Sequence, residues 1–80
     1  MITILFFAGA KEAAMTPSRA FEFAGPGTLR EVADRLERDI PMLRPILPFV
    51  RFAVNGKLAE LSQSIADGDE IAVLPPVSGG

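Results

Sequence analysis

Thr28-Leu29-Arg30-Glu31-Val32-Ala33-Asp34-Arg35-Leu36 carries the one sustained helical period of this sequence, and the fold class follows from its standing alone. Leu29, Val32, Ala33 and Leu36 fall at i, i+3, i+4 and i+7, so they line a single apolar stripe while the charged residues face water. Thr28 stands three residues before Glu31, the spacing of a capping box in which each side chain satisfies the other residue's free backbone N–H. The i,i+4 pairs Glu31–Arg35 and Asp34–Arg38 are worth about 0.2–0.5 kcal/mol each. A helix with one apolar stripe covers one face of a sheet and no more.

The flanking segments read as strands. On the N-terminal side, Arg19 to Phe23 puts Phe21 and Phe23 on one side of Glu22 and ends at Gly25-Pro26-Gly27. Ahead of it, Ile2 to Phe7 alternates Ile2, Ile4 and Phe6 with Thr3, Leu5 and Phe7, in residues suited to a strand. Both of its faces are largely apolar, so either it is buried on two sides or Leu5 and Phe7 lie on an outer surface that wants a partner. Gly9 to Ser18 reads as a loop with Thr16-Pro17-Ser18 as its breaker.

On the C-terminal side, Pro41, Pro45 and Pro48 forbid regular structure from Ile40 to Pro48, a crossing loop expected to be pinned by Met42, Ile46 and Leu47. Arg51 to Val54 resumes a strand, Asn55-Gly56 signals a hairpin because both residues tolerate positive φ, and Lys57 to Leu61 is the return arm. Asp67-Gly68-Asp69 makes a tight turn into a last strand, Glu70 to Leu74. The order strand, strand, helix, strand, short strand, strand predicts a two-layer α+β domain whose mixed sheet keeps one face bare.

Composition narrows the chemistry. A chain of 80 residues holds one small domain that buries about 60% of its unfolded surface. Its 49% hydrophobic and 22% charged content is that of an ordinary soluble domain. The net charge of −2 and the scattered basic residues predict no nucleic-acid binding. The apolar Met1–Ala8 lacks a basic lead-in and is too short for a signal peptide or membrane span, so no membrane and a cytoplasmic address are expected. The absence of cysteine and histidine excludes disulfides, thiol and Ser/His catalysis, and most metal sites. Hydroxyls, amines and carboxylates remain.

One carboxylate stands out, at the end of Pro75-Pro76-Val77-Ser78-Gly79-Gly80. Without Cβ atoms, Gly79 and Gly80 can thread a channel too narrow for other dipeptides. Pro75 and Pro76 favour an extended chain of about 3.1 Å per residue, so residues 75–80 could reach roughly 18 Å from the sheet. The prolines also serve as a strand terminator. Asp67, Asp69 and Glu70 fall well short of a calcium loop's ligand count and read as a solvated turn, with docking to a basic surface as a second use, so no metal site is expected.

Taken together, Leu5-Phe6-Phe7-Ala8 with Glu12, Asn55 at the hairpin, Asp67-Gly68-Asp69-Glu70 and the Pro-Pro-Val-Ser-Gly-Gly end resemble the small, sulfur-carrier subunits of molybdopterin synthases over the whole chain. The resemblance implies a ubiquitin-like β-grasp fold, a sheet of four to five strands on one main helix with residues 75–80 as a flexible tail. It also implies a non-catalytic subunit whose Gly80 is itself the reacting group. An E1-like enzyme would use ATP to adenylate Gly80, sulfur delivery would give a thiocarboxylate, and the tail would enter the large, catalytic synthase subunit to donate sulfur to cyclic pyranopterin monophosphate. No cofactor would be held stably. Phe7, Leu58 and Leu74 stand where the family sets apolar residues against that large subunit; a second layer of core is the alternative for all three. Carriers for thiazole, tRNA thiolation or cysteine synthesis share the fold and the Gly-Gly end. A ubiquitin-like protein modifier joined through Gly80, or a plain binding module, are readings of other classes.

Overall fold

A computed structural model of the chain describes residues 1–23 and 26–76. Strands β1 (Ile2–Phe6), β2 (Ser18–Phe21), β4 (Arg51–Val54), β5 (Lys57–Ala59) and β7 (Glu70–Leu74) form a five-stranded sheet in the order β2-β1-β7-β4-β5. β1 and β7 run parallel at its centre, and the other pairs are antiparallel. A second, two-residue pairing joins β3 (Gly27–Thr28) to β6 (Ser64–Ile65). Two helices, α1 (Ala8–Ala14) and α2 (Leu29–Asp39), complete the domain with two 3-10 turns, Pro41–Leu43 and Leu47–Phe49. No helix among the described residues is long and apolar enough to cross a membrane.

The stripe of α2 does what its spacing predicts. Leu29, Val32 and Leu36 are buried with Ile2, Ile4 and Phe6 of β1, Phe52 and Val54 of β4, and Ile71 and Val73 of β7, and Ala33 packs against them. Each large side chain so buried contributes about 1.5–3 kcal/mol of transfer free energy. Thr28 Oγ accepts from Glu31 N–H at 3.4 Å, but the reciprocal half of the capping box is not formed among the described residues. The 61–63 segment satisfies two further donors, with Leu29 N–H donating to the Gln63 carbonyl at 2.9 Å and Arg30 N–H to the Leu61 carbonyl at 3.0 Å. Three of the free donors at the helix start are thereby satisfied.

Four expectations need correction. Residues 8–14 are helix rather than loop: alanine, lysine and glutamate favour helix, yet alanines alone make no large apolar stripe to read. Ala10 of α1 is fully buried against Leu43 and the sheet. Leu43, not Met42, pins the crossing segment; Met42 is exposed, while Ile46 and Leu47 pack on the core as expected. The expected pairs Glu31–Arg35 and Asp34–Arg38 give way to Arg35–Asp39 at 3.3 Å and Arg38–Asp39 at 3.7 Å. Arg35 is drawn toward β2, where its guanidinium lies 5.5 Å from the Phe21 ring and donates to the Glu22 carbonyl. Finally, β2 ends at Phe21, so Phe23 lies beyond the strand.

Candidate functional site

The site is built around β7. This central strand carries the chain out of the sheet between β1 and β4, with Val73 opposite Phe6 and Leu74 opposite Arg51 as its last pairs. Pro75, half-buried, and Pro76, exposed, follow at once, and a proline has no N–H with which to continue a ladder. Gly79 and Gly80 lie outside the described residues, as do Val77 and Ser78.

Alternation sorts the sheet's two faces. Both helices feed the core on one side, so the other face carries no helix among the described residues. One row of it reads Leu5, Ala72, Ala53, Leu58 across four strands, each residue opposite the next. Two leucines thus bracket two alanines, giving a shallow apolar trough. Leu74 lies one row nearer the tail, half-buried beside exposed Arg51. Phe7 follows the last residue of β1 and keeps an extended backbone, φ −124° and ψ 151°, so the strand's alternation carries it to the same side. It is 47% exposed, and Leu58 is 64% exposed. Phe7, Leu58 and Leu74 therefore share one face of the sheet, and the two most open of them are not core.

Sequence reading missed how far this face extends. Ala53 and Ala72 give no signal alone, although their alternation with Phe52, Val54, Ile71 and Val73 places them outward. It also missed a groove of about 590 Å³ between the Leu47–Phe49 turn and β5, lined by Pro48, Val50, Arg51, Leu58 and Leu61 among others. Proline-broken segments hide such surfaces because their residues follow no period.

At the opposite end of β7 the acidic turn is a clamp rather than merely a solvated loop. Asp69 accepts from Ala66 N–H at 2.8 Å through one carboxylate oxygen and from Asn55 Nδ2 at 3.0 Å through the other. Asn55 Oδ1 in turn accepts from Glu70 N–H at 2.9 Å, and Asn55 N–H donates to the Glu70 carbonyl at 2.8 Å. These bonds, the Ala66 N–H foremost and the Asn55 amide second, hold the Asp69 carboxyl below its ordinary value. Asn55, Gly56 and Gly68 take φ of 50°, 85° and 89°, the left-handed conformation that Asn and Gly adopt at least cost. Among the described residues no cluster of three or more carboxylates is placed to hold a metal.

The described geometry is thus a clamped central strand that ends, at Pro75 and Pro76, beside an open apolar face. A sequence profile of the ThiS family matches residues 4–80. The chain belongs to that family. Among its relatives, the molybdopterin synthase sulfur carrier subunit of Mycobacterium tuberculosis is 35% identical over 80 residues, spanning 99% of this chain and 96% of that one. SAMP1 of Haloferax volcanii superposes with a TM-score of 0.86 at 30% identity, covering 99% of this chain and 98% of that chain. A chain in the complex of subunits 1 and 2 of the molybdopterin-converting factor of Helicobacter pylori gives 0.74 at 28% identity, covering 99% and 97%. The ThiS-family chain accordingly has the ubiquitin-like β-grasp fold, a mixed five-stranded sheet wrapped on one main helix.

Proposed function

We propose that the protein is the sulfur-carrier subunit of a molybdopterin synthase, residues 1–80 acting as one carrier domain and residues 75–80 as its tail. The observation that carries the reading is a central strand that leaves the sheet beside a bare apolar face and is followed in the sequence by Pro-Pro-Val-Ser-Gly-Gly, in a chain 35% identical to a named carrier of that kind. An α-carboxylate, with a pKa of about 3.3–3.7, is an anion at neutral pH and resists nucleophilic attack. Activation comes first. A Gly80 carboxylate oxygen attacks the α-phosphate of ATP on an E1-like enzyme, and pyrophosphate leaves. A sulfur nucleophile then attacks the acyl carbon and displaces AMP, leaving a thiocarboxylate that gives its sulfur to cyclic pyranopterin monophosphate inside the large, catalytic subunit.

Apart from the Gly80 carboxylate itself, every base and nucleophile in this scheme belongs to a partner or a substrate, which suits a chain without histidine or cysteine. Phe7, Leu58 and Leu74, with the Leu5–Leu58 trough, are the surface on which the large subunit seats. The H. pylori relative, seen in complex with its second subunit, supports such a partner.

A second reading, a protein modifier joined to lysines through Gly80, is favoured by the likeness to SAMP1, a small archaeal modifier protein. Intact mass after co-expression with an E1-like enzyme separates the two. One sulfur in place of one oxygen at Gly80 is the expected result, lost on deletion of Gly80 while the melting temperature stays the same. Lysine adducts without sulfur exchange would establish the modifier, and molybdopterin formed at the normal level by the truncated chain would overturn the carrier reading.

A further inference from the structure

All six phenylalanines lie among the described residues. Phe6, Phe21 and Phe52 are buried and Phe23 packs against the core, which leaves Phe7 and Phe49. Phe49 is 69% exposed, more open even than Phe7. The two rings are placed on opposite flanks of one strand. Phe7 lies one residue past the Phe6–Val73 pair, on the β1 side of β7. Phe49 lies two residues before the Arg51–Leu74 pair, on the β4 side, and Val50 between them stays extended at φ −82° and ψ 157°. Both residues therefore lie at the end of the sheet from which Pro75 and Pro76 leave it.

Chain length turns this placement into a constraint. Val77, Ser78, Gly79 and Gly80 separate Pro76 from the terminal carboxylate, and four residues span at most about 14 Å however they are arranged. Any enzyme whose reacting atoms meet Gly80 must bring its surface within that distance of Pro76, and the edge carrying Phe7 and Phe49 then faces it. We infer that Phe49 is a contact residue for the large subunit that takes the sulfur, closing the β4 side of a rim that Phe7 closes on the β1 side. This rests on the carrier reading above and extends it to a residue outside the Phe7, Leu58 and Leu74 set. The partner chemistry that fits is an apolar ring around the mouth of its pocket, since two open aromatic rings gain most where water is excluded from both. The groove lined by Pro48 and Val50, the neighbours of Phe49 in the chain, shares Leu58 with the trough.

The test is binding of the full chain to the large synthase subunit of the same organism, by titration calorimetry. Phe49→Asp is expected to weaken binding at least about tenfold, Phe49→Leu to stay within about threefold, and Arg30→Ala, on the solvent side of α2, to change nothing. Because Phe49 is open to solvent, Phe49→Asp should melt within a few degrees of the parent, so a loss of binding cannot be a loss of folding. Parent-like affinity for Phe49→Asp overturns the inference and leaves the carrier reading intact. Concentration-dependent self-association abolished by Phe49→Asp, with large-subunit affinity unchanged, also overturns it and assigns the ring to a second copy of the chain. No binding by the parent chain removes the carrier reading and this inference together.

Discussion

The two ends of β7 are built from opposite materials. Its start, at Glu70, is a lattice of short hydrogen bonds among Asn55, Ala66, Asp69 and Glu70, in which the left-handed positions fall on Asn55, Gly56 and Gly68. Its finish, at Leu74, is rimmed by apolar side chains, and the left-handed residues on that side are Ala8 and Met15, at φ 49° and 62°, which have a Cβ to accommodate. Met15 closes α1 by donating its N–H to the Lys11 carbonyl, and nearby Pro17 accepts from Phe6 at the end of β1. One end is held by its own hydrogen bonds; the other keeps exposed Phe7 and left-handed residues that are neither Asn nor Gly. The difference separates holding from meeting, since strain and open apolar surface collect where a partner is met.

The largest expected effect would break this division if it failed to separate. Leu58→Asp should weaken large-subunit binding about 30-fold or more, as loss of an interface hot spot does, with little change in melting temperature. Asp69→Ala should do the reverse. Two solvent-exposed donors exchange their acceptor for water, at about 0.5–1.5 kcal/mol, and the melting temperature falls by several degrees for each kcal/mol, while affinity of the folded protein is unaltered. Calorimetry and thermal denaturation on both variants decide it; a variant that moves both quantities equally would sink the division.

Acid sharpens the same point. The Asp69 carboxyl titrates below its ordinary value when folded, so its contribution is fully present above the unfolded value of about 3.9 and is lost as pH falls through the lower folded value. In urea denaturation, Asp69→Asn should therefore lag the parent by a constant margin from pH 7 down to about 5, and the margin should shrink below about pH 4. A margin independent of pH would mean that the carboxylate's charge plays no part in the clamp. The smallest effect expected is a gain. Met15→Gly removes a left-handed methionine whose side chain is 90% exposed, and should raise stability by roughly 0.5–1 kcal/mol. An unchanged or lower urea midpoint would show that Met15 is not strained.

Legibility in the sequence follows from periodicity. The Leu29–Leu36 stripe, the Asn55-Gly56 hairpin and the β1 and β7 alternations all repeat, and each was found where its pattern put it. Helix α1 escaped because Ala10, Ala13 and Ala14 pack through small size, which leaves no large-residue stripe. The β3–β6 bridge escaped because two residues cannot display a period of two. Charge pairing on α2 was misread because Arg35 answers to β2 as well as to its own helix, a tertiary pull absent from any one-dimensional pattern. At the site, outward residues followed from alternation, whereas Phe49 sits between prolines in a segment with no repeat and could be placed only through the Arg51–Leu74 register.

The central, parallel placement of β7 has a mechanical consequence. A pull on the tail, as when a narrow active site draws it in, is a pull along β7 itself. Hydrogen bonds to β1 on one side and β4 on the other lie across that direction, so they are loaded together in shear instead of being unzipped one after another. A domain pulled by this strand keeps its shape, much as a cord anchored in the middle of a weave resists being drawn out.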